Sequence, residues 1–128
     1  MFVQNLNAKQ QAALLYMAKA VAHADGNMDE LQLGMMEILA KQAEAGVKEM
    51  VVPLDELPIL FDTERSRCSL LLELLGIAHV NNEYHVHEKD LIGQYANILQ
   101  ISPEKLIALE AWVEKQIALS QEIETILG

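Results

Sequence analysis

The sequence predicts an all-α fold: a helical bundle with an internal pseudo-two-fold repeat of helix hairpins. Three observations carry that expectation. Apolar residues step by three and four along nearly the whole chain, the period of a helix buried on one side. The chain also repeats itself at a constant offset of 56, with Leu14-Leu15, His23 and Gln32 recurring as Leu70-Leu71, His79 and Glu88. Each copy reads as apolar helix, tight polar turn, second helix. Finally, strong helix stops and starts separate the runs, notably Asp25-Gly26 and Ser102-Pro103. A period near ~50 residues seen only twice is too short for a solenoid, which needs at least ~3 repeats. The pattern predicts one domain over residues 1–128, with repeat halves at about 8–46 and 62–100 and a last helix at 103–126.

The first helix is expected from about Ala8 to Ala24, with Asn7 as N-cap and Leu14, Met17, Ala18, Val21 and Ala22 on one face. Asp25-Gly26 ends it, because glycine adopts a left-handed conformation freely. Asp29 caps the second helix, with Gln32 as its capping-box partner. Leu31, Met35, Ile38 and Leu39 form that helix's expected apolar face, and Gly46 stops it. Pro53 and Pro58 punctuate a connector over Val47–Phe61, with one short helix near Leu54 to Leu57. Asp62 is the expected cap of the next helix, Thr63 to about Val80. Leu70, Leu71, Leu74, Leu75 and Ile77 make it apolar around much of its circumference, the mark of a central helix. Asn81-Asn82 turns the chain, and a fifth helix starts at His85 and Glu88 and runs to about Leu99. Ser102 as N-cap and Pro103 at the first helical position open the last helix, whose length suits wrapping the bundle or projecting to a partner.

The composition bounds the function. The chain has 128 residues and is 52% hydrophobic, enough to bury a core. Its net charge of −10 argues against a nucleic-acid partner, which demands a basic patch. Met1-Phe2-Val3-Gln4-Asn5 lacks a basic signal-peptide start, and no run reaches the ~18 apolar residues of a membrane span. A cytoplasmic protein without membrane insertion is therefore expected. The single Cys68 excludes an internal disulfide and is expected as a buried small hydrophobe. Neither a Gly-rich phosphate loop nor a G-x-S-x-G motif is present, and no enzymatic activity is expected.

The repeated turn is the place to look for chemistry. Asp25-Gly26-x-Met28-x3-Gln32 resembles the second half of an EF-hand loop, but a hard cation needs six to eight oxygens. This loop offers Asp25, Asp29 and Glu30, and the second copy adds Glu83 and Glu88. Turn formation and helix capping explain the same residues without a metal. Any divalent cation is expected to bind weakly, because neither loop supplies a full oxygen shell; tight binding would require the two halves to converge, with Asp25, Asp29 and Glu30 facing Glu83 and Glu88. A separate alternative is a transition-metal cluster of His79, His85, His87 and Glu88, since imidazole and carboxylate suit zinc. Met28, Met35 and Met36 sit on a helical stripe and are expected in the core.

At the turns the sequence resembles the TerB-like tellurite-resistance family. Ala24-Asp25-Gly26-Asn27-Met28-x3-Gln32 matches the first half of that family's pattern, with Gln in place of the acidic residue. Val80-Asn81-Asn82-Glu83-Tyr84-x3-Glu88 matches the second half without Asp-Gly, and Leu99-Gln100-Ile101-Ser102-Pro103-Glu104 resembles the start of the last helix. The resemblance implies an all-helical domain with two related halves and a role in stress and tellurite resistance. It also implies divalent-metal binding through acidic residues, with Asp25 and Glu88 as the equivalent contributors. The resulting expectation is a non-enzymatic module that binds a protein partner and a divalent cation through acidic turns. A homodimer with a structural role is the alternative.

Overall fold

The computed structural model describes residues 1–24, 26, 28–80 and 84–128. Among them are six α-helices and no strand, so the chain is an all-helical bundle. The helices are α1 (Ala8–Ala22), α2 (Glu30–Gln42), α3 (Leu57–Leu60), α4 (Glu64–His79), α5 (Val86–Ile98) and α6 (Pro103–Leu127). Single 3-10 turns at Val3–Asn5 and Leu54–Glu56 precede α1 and α3. The bounds of α2 and α5 are displaced by 56 residues at both ends, the offset read from the sequence.

Local chemistry explains the starts. Asn7 Oδ1 accepts from the Gln10 N–H at 2.9 Å while Gln10 Oε1 accepts from the Asn7 N–H at 2.9 Å, a reciprocal box that satisfies two orphan donors. Asp29 and Gln32 do the same for α2, and the Ser102 hydroxyl accepts from the Lys105 N–H ahead of Pro103. The α4 cap differs from expectation: it is Thr63, not Asp62. Thr63 Oγ1 accepts from the Ser66 N–H at 3.1 Å, and Ser66 Oγ accepts from the Thr63 N–H at 3.2 Å. The reciprocal partner three residues on decides the choice. Helix α1 also stops sooner than expected, at Ala22, with His23 as C-cap and Gly26 at φ +97°. The expected short helix near Leu54 to Leu57 is the 3-10 turn, which runs directly into α3.

Helix α4 is the centre. Leu70, Leu71, Leu74 and Leu75 are completely buried, and α1, α2, α5 and α6 all pack around it. Helix α1 packs against it, and Ala13, Ala18, Val21 and Ala22 on α1 are also fully buried. Helix α2 sits differently from the predicted face. Leu39 is buried and Met35 half-buried, but Leu31 and Ile38 are about half exposed. Gln32, not Leu31, points inward, and the helix is rotated to match. Met28, Met35 and Met36 pack partly buried against the core.

Helix α6 buries its apolar side chains against the body along its first half. Val113 is its one buried residue, Leu106, Leu109 and Ile117 are partly buried, and every residue from Ala118 onward is exposed. At ~1.5 Å per residue the exposed end extends about 15 Å along the helix axis. No helix among the described residues is long and apolar enough to cross a membrane.

Candidate functional site

The two capping boxes meet in the interior. Gln32 and Glu88, equivalent in the repeat, are 1% and 0% exposed, and Gln32 Nε2 donates to Glu88 Oε2 at 2.8 Å. Each also faces the N-cap backbone of its own helix. The Asp29 N–H donates to Gln32 Oε1 at 3.4 Å, and the His85 N–H donates to Glu88 Oε1 at 3.3 Å. One amide and one carboxylate thus tie the starts of α2 and α5 together. The burial of this bond raises the cost of losing it. An amide at position 32, rather than an acidic residue, has a direct consequence here. Two carboxylates at 2.8 Å would repel, whereas an amide donates.

The five carboxylates predicted for a cation have different fates. Asp29 caps α2, Glu30 is exposed in its first turn, and Glu88 is buried against Gln32. Asp25 and Glu83 lie outside the described residues, as does the Asn81-Asn82 turn. Of the alternative histidine set, His85 is the half-buried N-cap of α5 and His87 is exposed on its first turn. His79 is elsewhere, on the last residue of α4 and 8% exposed.

Around His79 the structure assembles a different group. Glu110 and Glu114, one turn apart on α6, bring a carboxylate oxygen each to the imidazole, with all three candidate ligand atoms within 4.8 Å of one another. His79 Nε2 is 4.0 Å from Glu110 Oε1, too long for a hydrogen bond, and it is buried without a hydrogen-bond partner among the described residues. The Tyr84 ring lies against the imidazole, with centroids 4.1 Å apart and planes tilted by 44°. Burial lowers the His79 pKa; Glu110 and then Glu114 pull it back up without overcoming burial. The ring is therefore neutral at physiological pH. Tyr84 is pushed strongly upward, first by burial and then by Glu110, Glu88 and Glu114, and stays a phenol. A cavity of about 260 Å³ opens beside the cluster, lined by His79, Glu114, Ile117, Ala118 and Gln121.

No family model, no curated protein and no solved structure matches the chain.

Cys68, expected as a buried hydrophobe, is half-buried. Burial raises its pKa, Lys105 lowers it and Glu64 raises it again. Glu110 and Glu114 are not among the residues that the sequence singles out. The signal for them is Glu110-x3-Glu114, a spacing that puts both carboxylates on one side of a helix. Such pairs are common on solvated faces, and only the packing of α6 on α4 gives this one a histidine.

Proposed function

We propose that the chain is a non-enzymatic, TerB-like helical module of the stress- and tellurite-resistance type, acting in the cytoplasm by binding a protein partner through the far half of α6. The exposed stripe on that helix carries the reading. Leu119, Ile123 and Ile126 are 63%, 49% and 70% exposed and follow one another at four and three residues. They continue a line begun by Trp112 and Gln116, spaced as in the seam of a helix pair. The near half of that line is partly covered from within the chain: the Phe2 ring meets Trp112 edge-on at 5.5 Å, leaving it 42% exposed, and Gln116 Nε2 donates to Met1 Sδ at 3.5 Å. The far half has the same apolar character and is open to solvent. An adjoining groove of about 510 Å³ between α2, α4 and α6 adds apolar surface from Met35, Val80, Val113 and Ile117, edged by Gln116, Ser120, Gln121 and Glu124. Contiguous exposed apolar surface of this kind marks interaction sites.

The shared 56-residue offset of α2 and α5, and the bond between Gln32 and Glu88, support two related halves of TerB type. The burial of Glu88 beneath Gln32 favours a structural role at this junction over a cation site. The test is a photo-crosslinking residue at position 123. On this reading it captures a protein from the source organism's extract, whereas the same residue at exposed Asp90 does not. A product of twice the chain mass would instead support the homodimer.

A further inference from the structure

We propose that His79, Glu110 and Glu114 bind a divalent transition-metal ion of the zinc class, fastening the end of α4 to α6. The site is distinct from the acidic turns. Three observations carry it. The donor set is one imidazole and two carboxylates from two different helices, already within 4.8 Å of one another. The imidazole nitrogen in the middle is buried and has no hydrogen-bond partner among the described residues. A carboxylate oxygen nevertheless stands 4.0 Å away. An orphaned buried nitrogen is costly whichever tautomer is present. An N–H would lack an acceptor, and a lone pair would face two carboxylates. A metal ion resolves both difficulties: it takes the lone pair and neutralises the carboxylates.

The geometry is within reach. Tetrahedral ligands at ~2.0–2.1 Å from zinc stand about 3.3 Å apart. The contraction from 4.0 Å for Glu110, and from no more than 4.8 Å for any pair, falls on Glu side chains, and Glu114 is exposed. His79 is pinned by the α4 core and by Tyr84, which fixes the ring plane. The lowered pKa of His79 keeps the imidazole in its ligating form at neutral pH. Imidazole selects against calcium and magnesium, which take oxygen alone. Three protein ligands leave a fourth position toward the 260 Å³ cavity, wide enough for water. By clamping α6 within one turn of Ala118, the ion would also hold the root of the projecting half.

The test is calorimetric titration of the full chain, tag-free and stripped with chelator, with Zn²⁺ and Co²⁺ in turn. One ion per chain is expected. Its affinity should fall by at least about tenfold in Glu114→Gln and in His79→Gln, and stay unchanged in Glu104→Gln on the exposed first turn of α6. Nitrogen NMR of the wild type should show the His79 imidazole shifting with Zn²⁺. Because His79 is in the core, circular dichroism checks that variant, and Glu114→Gln, altered at the surface, decides the matter if His79→Gln does not fold. Failure of the wild type to bind would overturn the proposal. So would Glu114→Gln binding as tightly as wild type, preference for Ca²⁺ or Mg²⁺, or loss of binding in Asp25→Asn with the cluster intact.

Discussion

Exchanging Gln32 and Glu88 probes the junction between the repeat halves. In Gln32→Glu, two carboxylates face each other at the site of a 2.8 Å bond, both fully buried. At an effective dielectric of about 20, two unit charges 4 Å apart repel by about 4 kcal/mol. The protein can escape by binding a proton, which at pH 7 costs about 3.7 kcal/mol for a carboxyl of ordinary pKa near 4.3. Gln32→Glu should therefore destabilise by about 3–4 kcal/mol at pH 7. At pH 5 the proton costs only about 1 kcal/mol, and most of the loss should vanish. The sign follows from linkage. The folded pair has a raised pKa, so the folded state binds more protons and the variant loses stability as pH rises. Glu88→Gln alone sets one amide donor against either the Gln32 amide or the His85 N–H, for about 1–3 kcal/mol. The double exchange, Gln32→Glu with Glu88→Gln, restores in mirror image the bond between the two side chains and their bonds to the two N-cap N–H groups. The new carboxylate on α2 accepts from the Asp29 N–H and from the new amide on α5, whose oxygen accepts from the His85 N–H. It should lie within about 1 kcal/mol of wild type, a coupling far outside additivity. Urea denaturation at pH 7 and pH 5 measures all four proteins. Equal losses at both pH values, or a double variant as unstable as the two single losses added, would refute the reasoning.

Two further outcomes follow from backbone and burial. Gly26 holds φ +97° with open space where a Cβ would stand, so Gly26→Val should cost about 1–2 kcal/mol through backbone strain alone, measurable as a lowered denaturation midpoint. With chelator present, the stability contributed by neutral His79 should be complete above its ordinary pKa of 6.5 and lost as pH falls through its lowered folded value. Among the described residues, the groups facing it are Tyr84, Glu110 and Glu114. His79→Gln should flatten that part of the stability–pH curve, and an unchanged acid limb would count against burial as the cause.

What can be read in the sequence is local. Asn7, Asp29 and Ser102 each accept bonds within three residues, so residue type and spacing suffice to place their helices. Leu70, Leu71, Leu74, Leu75 and Ile77, apolar around much of α4, announce its central position for the same reason. The choice between Asp62 and Thr63 needs the partner at Ser66 as well as the cap residue itself. The rotation of α2 is hidden because Gln32 faces inward only by virtue of Glu88, far away in the chain. The constant offset marks these two residues as equivalent, but not as bonded to each other. His79 stands out by its type, yet its surroundings come from α6, and nothing in the spacing of the histidines points to Glu110 or Glu114. Long-range packing decides a site, and periodicity does not encode it.

The partner-binding surface is tested most directly by crosslinking at its centre under competition. A photo-crosslinking residue at position 123 is activated in extract, with and without an excess of unlabelled chain carrying either the native stripe or Leu119→Asp with Ile126→Asp. Both substitutions fall on exposed positions and should leave the helical spectrum intact. One protein should be captured at position 123, displaced by the native chain and untouched by the doubly substituted one. Capture that the substituted chain displaces equally well, or no capture from this helix at all, would contradict it.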